Sequence, residues 1–137
     1  MGETKVMIDS NVFVAVFLLE DALHRRATQL ISQLKNQGAI FYTINLVLQE
    51  TATVLSMRKD MTSARTFYTS VHDFIDQMLP FDESVERESW NVFLSQTKKG
   101  TSFVDCAILA AVGHYHIDKI ASFDRFYPKE LLLPVVQ

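Results

Sequence analysis

With 137 residues, 48% of them hydrophobic, the chain is large enough to bury a core without disulfides or structural metal, and one domain over residues 1–137 is expected. Thirteen lysines and arginines against sixteen acids give a net charge of −3, which excludes broad attraction to nucleic acid but leaves local basic pairs at Arg25-Arg26, Arg58-Lys59 and Lys98-Lys99. The one cysteine, Cys106, cannot form an intramolecular disulfide, no signal peptide is legible, and charges break every apolar run short of the ~20 residues that cross a membrane, so a cytoplasmic location and no membrane contact are expected.

Val6 to Ile8 is too short for a lone helix and ends in Asp9-Ser10-Asn11, which suits a strand end followed by a helix cap. Leu23, Ala27, Leu30, Ile31 and Leu34 then recur at helical spacing until Gly38, predicting a helix from Ala22 to Gln37. The β-branched and aromatic Ala39 to Thr43 predicts a second strand, and Ile44 to Lys59 a helix. Ala64 to Gln77 reads as an amphipathic helix, and Met78 to Phe81 as an edge or terminal strand because it contains Pro80. A helix starts at Asp82 to Glu86 and runs toward Lys98-Lys99-Gly100; Thr101-Ser102 opens an almost wholly apolar helix ending near Tyr115. Lys119 to Ser122 is the fourth short strand, with Leu131 to Val136 a candidate fifth. Such alternation implies a mainly parallel sheet covered on both faces, with ligands bound outside the carboxyl ends of its strands.

Four carboxylates interrupt runs that otherwise read as buried: Asp9, Glu50, Asp105 and Asp124. A buried carboxylate is costly to ionise unless it is paired, hydrogen-bonded or bound to a cation, and no lysine or arginine is placed to serve all four. Asp9 at the end of the first strand, Asp124 beyond the fourth, and Glu50 and Asp105 in the first halves of helices leaving the same edge fit one pocket. The plain alternatives are a helix cap for Asp9 and a turn for Asp124. Ser102, three positions before Asp105, suits a cap, a support for the carboxylate or a water site. Oxygen ligands without histidine or cysteine select Mg²⁺ or Mn²⁺ over zinc, and carboxylates around such ions suit phosphodiester hydrolysis by metal-activated water. His24, His72, His114 and His116 form no zinc-like pattern, Cys106 reads as a small core residue, and Walker and G-x-S-x-G motifs are missing.

The pieces Val6-Met-Ile-Asp9-Ser-Asn11, Leu48-Gln-Glu50, Thr101-Ser102-Phe-Val-Asp105 and Ala121-Ser-Phe-Asp124-Arg-Phe126 together resemble the PIN-domain family, in particular its VapC-type toxins, over almost the whole chain. The resemblance implies a three-layer α/β/α sandwich with a four- or five-stranded sheet. It also implies an endoribonuclease using Mg²⁺ or Mn²⁺, with Asp9, Glu50, Asp105 and Asp124 as catalytic and metal-binding residues and Asn11 and Ser102 supporting them. A homodimer and, for the toxin branch, a cognate antitoxin inserted into the acidic groove follow from the same resemblance. Phe13, Phe17, Leu18 and Leu19 are candidates for partner contact or for the core. The competing readings are a PIN-domain RNA-processing nuclease without an antitoxin, a non-cleaving RNA- or protein-binding module, and a phosphatase; Asn11 stands where a phosphatase Asp-x-Asp motif would have its second acid.

Overall fold

The computed structural model describes residues 3–134 and contains four parallel strands in the order β3-β2-β1-β4, with helices on both faces of the sheet. The elements are β1 (Lys5–Ile8), α1 (Ser10–Phe17), α2 (His24–Asn36), β2 (Ile40–Thr43), α3 (Asn45–Arg58), α4 (Met61–Phe74), β3 (Gln77–Met78), α5 (Glu83–Leu94), α6 (Phe103–His114) and β4 (Lys119–Ala121). Val6, Met7 and Ile8 are wholly buried, which is why the central strand is a continuous apolar run rather than an alternating one. Met7 is in register with Tyr42 of β2 on one side and Ile120 of β4 on the other.

This order fixes the place of a site. From β1 the chain builds outward through β2 to β3, then returns to lay β4 against the free side of β1. Connections therefore diverge between β1 and β4, leaving a crevice at the carboxyl ends of those two strands. Asp9 follows β1 and Ser122 follows β4, and the Asp9 N–H donates to the Ala121 carbonyl at 3.0 Å, tying the two ends together.

Beside the sheet, Phe13 meets Phe67 and Phe74 edge-on at 5.6 and 5.8 Å, and Phe41 stacks on Phe74 at 5.6 Å. These rings join α1, β2 and α4, and each buried ring contributes about 1.5–3 kcal/mol through lost apolar hydration. Phe13 and Leu18 thus belong to the core, and Phe17 is half-buried against Phe67; only Leu19 of the first-helix candidates is exposed, and it lies beyond the helix end.

Several boundaries differ from the sequence expectation, among them the end of α4, which stops at Phe74 with the Ile75 N–H bonded to the Val71 carbonyl, so that Gln77, expected in this helix, opens β3 instead. Helix α4 starts at Met61 rather than Ala64 because the Asp60 side chain accepts from the Ser63 N–H and caps the helix earlier. Helix α5 stops at Leu94, where the Ser95 hydroxyl and the Gln96 amide both donate to the Val92 carbonyl and compete with the helical bond. Lys98-Lys99-Gly100 is consequently loop, with Gly100 at φ +85° before α6. A fifth strand does not form among the described residues: Leu132 makes a lone parallel bridge to Ile120, and Val135 and Val136 lie outside them. The edge strand β3 is shorter than expected and ends before Pro80.

Candidate active site

Asp9 is the hub. As N-cap of α1 its extended backbone turns the chain from strand to helix, and its Oδ1 accepts from the Ser10 N–H at 2.7 Å. Only 2% of the residue is exposed, so the other oxygen is satisfied from within: Oδ2 accepts from the Ser122 hydroxyl at 2.7 Å and the Tyr127 hydroxyl at 3.1 Å. The expected cap and the expected buried acid are one residue.

Ser122 is held in turn. Its oxygen accepts from Asn11 Nδ2 at 3.1 Å and from the Asp124 N–H at 3.0 Å, while Asn11 Oδ1 accepts from the Phe123 N–H at 3.1 Å. Asn11 thereby clamps the segment that follows β4. The Asp124 side chain accepts from the Phe126 N–H at 3.0 Å, forming the turn read from the sequence and swinging Tyr127 back under the sheet edge.

Tyr127 carries the network to α6. Its hydroxyl also lies 3.2 Å from Asp105 Oδ1, so one phenol bridges the buried Asp9 and the half-buried Asp105. Asp105 is in the first turn of α6, whose N-cap Ser102 accepts from the Asp105 N–H at 3.4 Å; capping is thus the role that geometry gives Ser102. On the far side of Asp9, the Ser10 hydroxyl donates to Glu50 Oε2 at 2.6 Å and lies 3.5 Å from Asp9 Oδ1. Hydroxyls therefore link the acids in the order Glu50, Ser10, Asp9, Tyr127, Asp105, with Asp124 beside Asp105, but they do not share one open pocket: Asp105 and Asp124 line one cleft, and Glu50 borders a separate hollow with Leu46, Val54 and Val104. Ser10, Ser122 and Tyr127 were not singled out from sequence. Ser10 and Ser122 adjoin predicted strand ends, but no spacing rule points to Tyr127.

The electrostatics follow from this crowding. Burial raises the Asp9 pKa above the ordinary carboxylate value, against the donors from Ser122, Ser10 and Tyr127, and the Glu50 charge adds to the rise. Burial, the Asp9 charge and the neighbouring Asp124 push Asp105 up to about 7. Burial, then Asp9 and Asp105, drive the Tyr127 pKa upward, so it stays a neutral donor. Among the described residues, the ion pairs are Arg58–Asp21, Lys59–Glu20, Arg87–Glu83 and His114–Glu88; none reaches the four acids.

Such a set fits a hard divalent cation. Its donors are all oxygens, no ion pair among the described residues reaches them, and Mg²⁺ needs only one or two carboxylates with water completing the octahedron. Among the described residues, no three acid, histidine or cysteine side chains already close into a cage. A cleft of about 410 Å³ opens over Asp105 and Asp124, walled by Lys98, Lys99, Ser102 and Arg125. Asp124 and Arg125 also border a hollow of about 310 Å³ that includes Arg26. Basic side chains thus flank an acidic floor. Arg58 and Lys59, by contrast, are taken up in ion pairs.

Residues 6–129 match the model of the PIN domain family. The chain belongs to the PIN-domain family. Ribonuclease VapC6 from Methanocaldococcus jannaschii is 24% identical over an alignment spanning all of this chain and 99% of that protein. Among solved structures, VapC20 of Mycobacterium tuberculosis, a toxin that cleaves the sarcin-ricin loop, superposes with a TM-score of 0.78 at 22% identity, covering 88% of this PIN domain and 91% of that chain. VapBC2 of Rickettsia felis, bound to a DNA fragment from their promoter, gives 0.68 at 12% identity, covering 95% and 98%. These likenesses show the PIN fold, with its four-stranded parallel sheet between helices.

Proposed function

We propose that this PIN domain is an endoribonuclease that hydrolyses RNA phosphodiester bonds with Mg²⁺ or Mn²⁺, and that it is the toxin of a toxin-antitoxin pair. The observation that carries the reading is a chain of hydroxyls linking Glu50, Asp9 and Asp105, with Asp124 beside Asp105 and no ion pair to any of the four among the described residues. The names of the relatives, a ribonuclease and an RNA-cleaving toxin, support the substrate class. Asp9, Glu50, Asp105 and Asp124 would hold the ion, with Asn11 and Ser102 as supports. When bound, a divalent ion supplies positive charge at the phosphate and lowers the pKa of water. The remaining work belongs to the chain. Ser10 and Ser122 orient Asp9, Asn11 fixes the Ser122 segment, and Ser102 caps the helix that presents Asp105. Lys98, Lys99 and Arg125 offset the repulsion between an acidic floor and an anionic backbone.

The solved VapBC2 complex supports a cognate antitoxin as partner. A homodimer and a cytoplasmic location belong to the same reading and rest on the family resemblance; among the described residues, no helix is long and apolar enough to cross a membrane. The test is incubation of a mixed structured and single-stranded RNA pool with wild type and Asp105→Asn, in Mg²⁺, Mn²⁺ or chelator. Cleavage that needs metal and disappears in the variant is expected. Cleavage unchanged by chelator or by the substitution would overturn the reading.

A further inference from the structure

Tyr127 touches two of the four acids and has no part in the reading so far. The residue is 2% exposed, and its ring packs in the core and meets Phe126 edge-on at 5.3 Å. A tyrosine that merely filled the core would need one acceptor for its hydroxyl. This one lies between two, Asp9 Oδ2 at 3.1 Å and Asp105 Oδ1 at 3.2 Å, contributed by the end of β1 and the first turn of α6.

The contact divides the oxygens of both acids unequally. Asp9 Oδ2 faces two hydroxyls, Ser122 and Tyr127, whereas Oδ1 has one close donor, the Ser10 N–H. On Asp105 the tyrosine engages Oδ1, and the Asp124 carboxyl is the other side-chain partner of this acid. We propose that Tyr127 is a positioning residue for the divalent cation: its hydroxyl lies between Asp9 Oδ2 and Asp105 Oδ1 and fixes the spacing of the two carboxylates that would hold the ion. Partners that orient ligands in this way typically govern metal affinity about 10–100-fold. The proposal rests on the metal-dependent reading above and extends it to a residue outside the acid set.

The test is Mn²⁺ binding to the full chain by calorimetry, without RNA, for wild type, Tyr127→Phe and Tyr127→Met. Phenylalanine keeps the ring, and methionine fills the space flexibly should the first variant fold poorly. The melting temperature of each metal-free protein is measured in parallel. A 10–100-fold rise in Kd in whichever variants stay folded at the assay temperature is expected. Wild-type affinity in a folded variant, or tighter binding, would overturn the positioning role while leaving the nuclease reading intact. A wild-type protein that binds no Mn²⁺ would overturn both.

Discussion

Between α1 and α2, Glu20 and Asp21 face Lys59 and Arg58 at the end of α3; at the carboxyl edge of the sheet, Asp9, Glu50, Asp105 and Asp124 face one another. Both clusters are built on carboxylates, and those whose pKa values are shifted move in opposite directions. Lys59 bonds Glu20 and holds its pKa below the usual range; burial pushes Asp21 up, but Arg58 and the Leu23 N–H outweigh it and lower the pKa. Asp9 and Asp105 are pushed the other way by burial and by neighbouring acids. An acid with its cation closes a loop against a helix, whereas a crowded acid without one resists ionisation, which a bound cation would favour.

The largest expected effect is on turnover. Asp105→Asn should remove several kcal/mol of transition-state stabilisation, about a thousandfold in RNA cleavage, while the metal-free protein melts higher because a crowded charge is gone. A parallel loss of activity and of stability would break the contrast between the clusters. Next, Lys98→Ala with Lys99→Ala should raise KM for RNA about tenfold and flatten its dependence on salt, with kcat little changed; a change in kcat alone would place these lysines elsewhere in the reaction.

The pH dependence of stability has a definite sign. Folded Asp9 and Asp105 keep their protons to higher pH than the unfolded chain does, so the folded state holds more protons between the ordinary value of 3.8 and about 7. The metal-free protein should therefore be most stable near the bottom of that window and lose stability as pH rises through it. Glu20 is lowered from the ordinary value of 4.5, and Asp21 and Asp60 from 3.8, so these act with the opposite sign as pH falls below those values. Thermal melts from pH 4.5 to 7.5 check this, and a flatter profile is expected for Asp105→Asn. The smallest effect belongs to the compensated cluster: Asp21→Asn should cost about 0.5–1 kcal/mol in urea unfolding and leave cleavage unchanged.

Much of this contrast was legible in the sequence. Acids inside apolar runs flagged the candidate site, and alternation of short strands with helices placed their ends at one sheet edge; hydroxyls link Glu50, Asp9 and Asp105 there, while only Asp105 and Asp124 share the open cleft and the roles of all four await the assays above. What escaped was long-range. Tyr127 lies 118 positions from Asp9, and no periodicity reaches that far. The early end of α5 escaped because Ser95 and Gln96 compete locally for the Val92 carbonyl, and it is this end that leaves Lys98 and Lys99 in the loop beside the acids. Among the basic pairs, Arg58-Lys59 looked no different from Lys98-Lys99, because ion pairing to Glu20 and Asp21 depends on the packing of α3 against the turn after α1.

The most direct test of the uncompensated site is the melting temperature of wild type, Asp105→Asn and Asp21→Asn at pH 7.5 across a Mn²⁺ titration. Metal should raise the melting point of wild type and of Asp21→Asn by the same amount and leave Asp105→Asn nearly unmoved. An equal rise in all three, or none in wild type, would contradict the account.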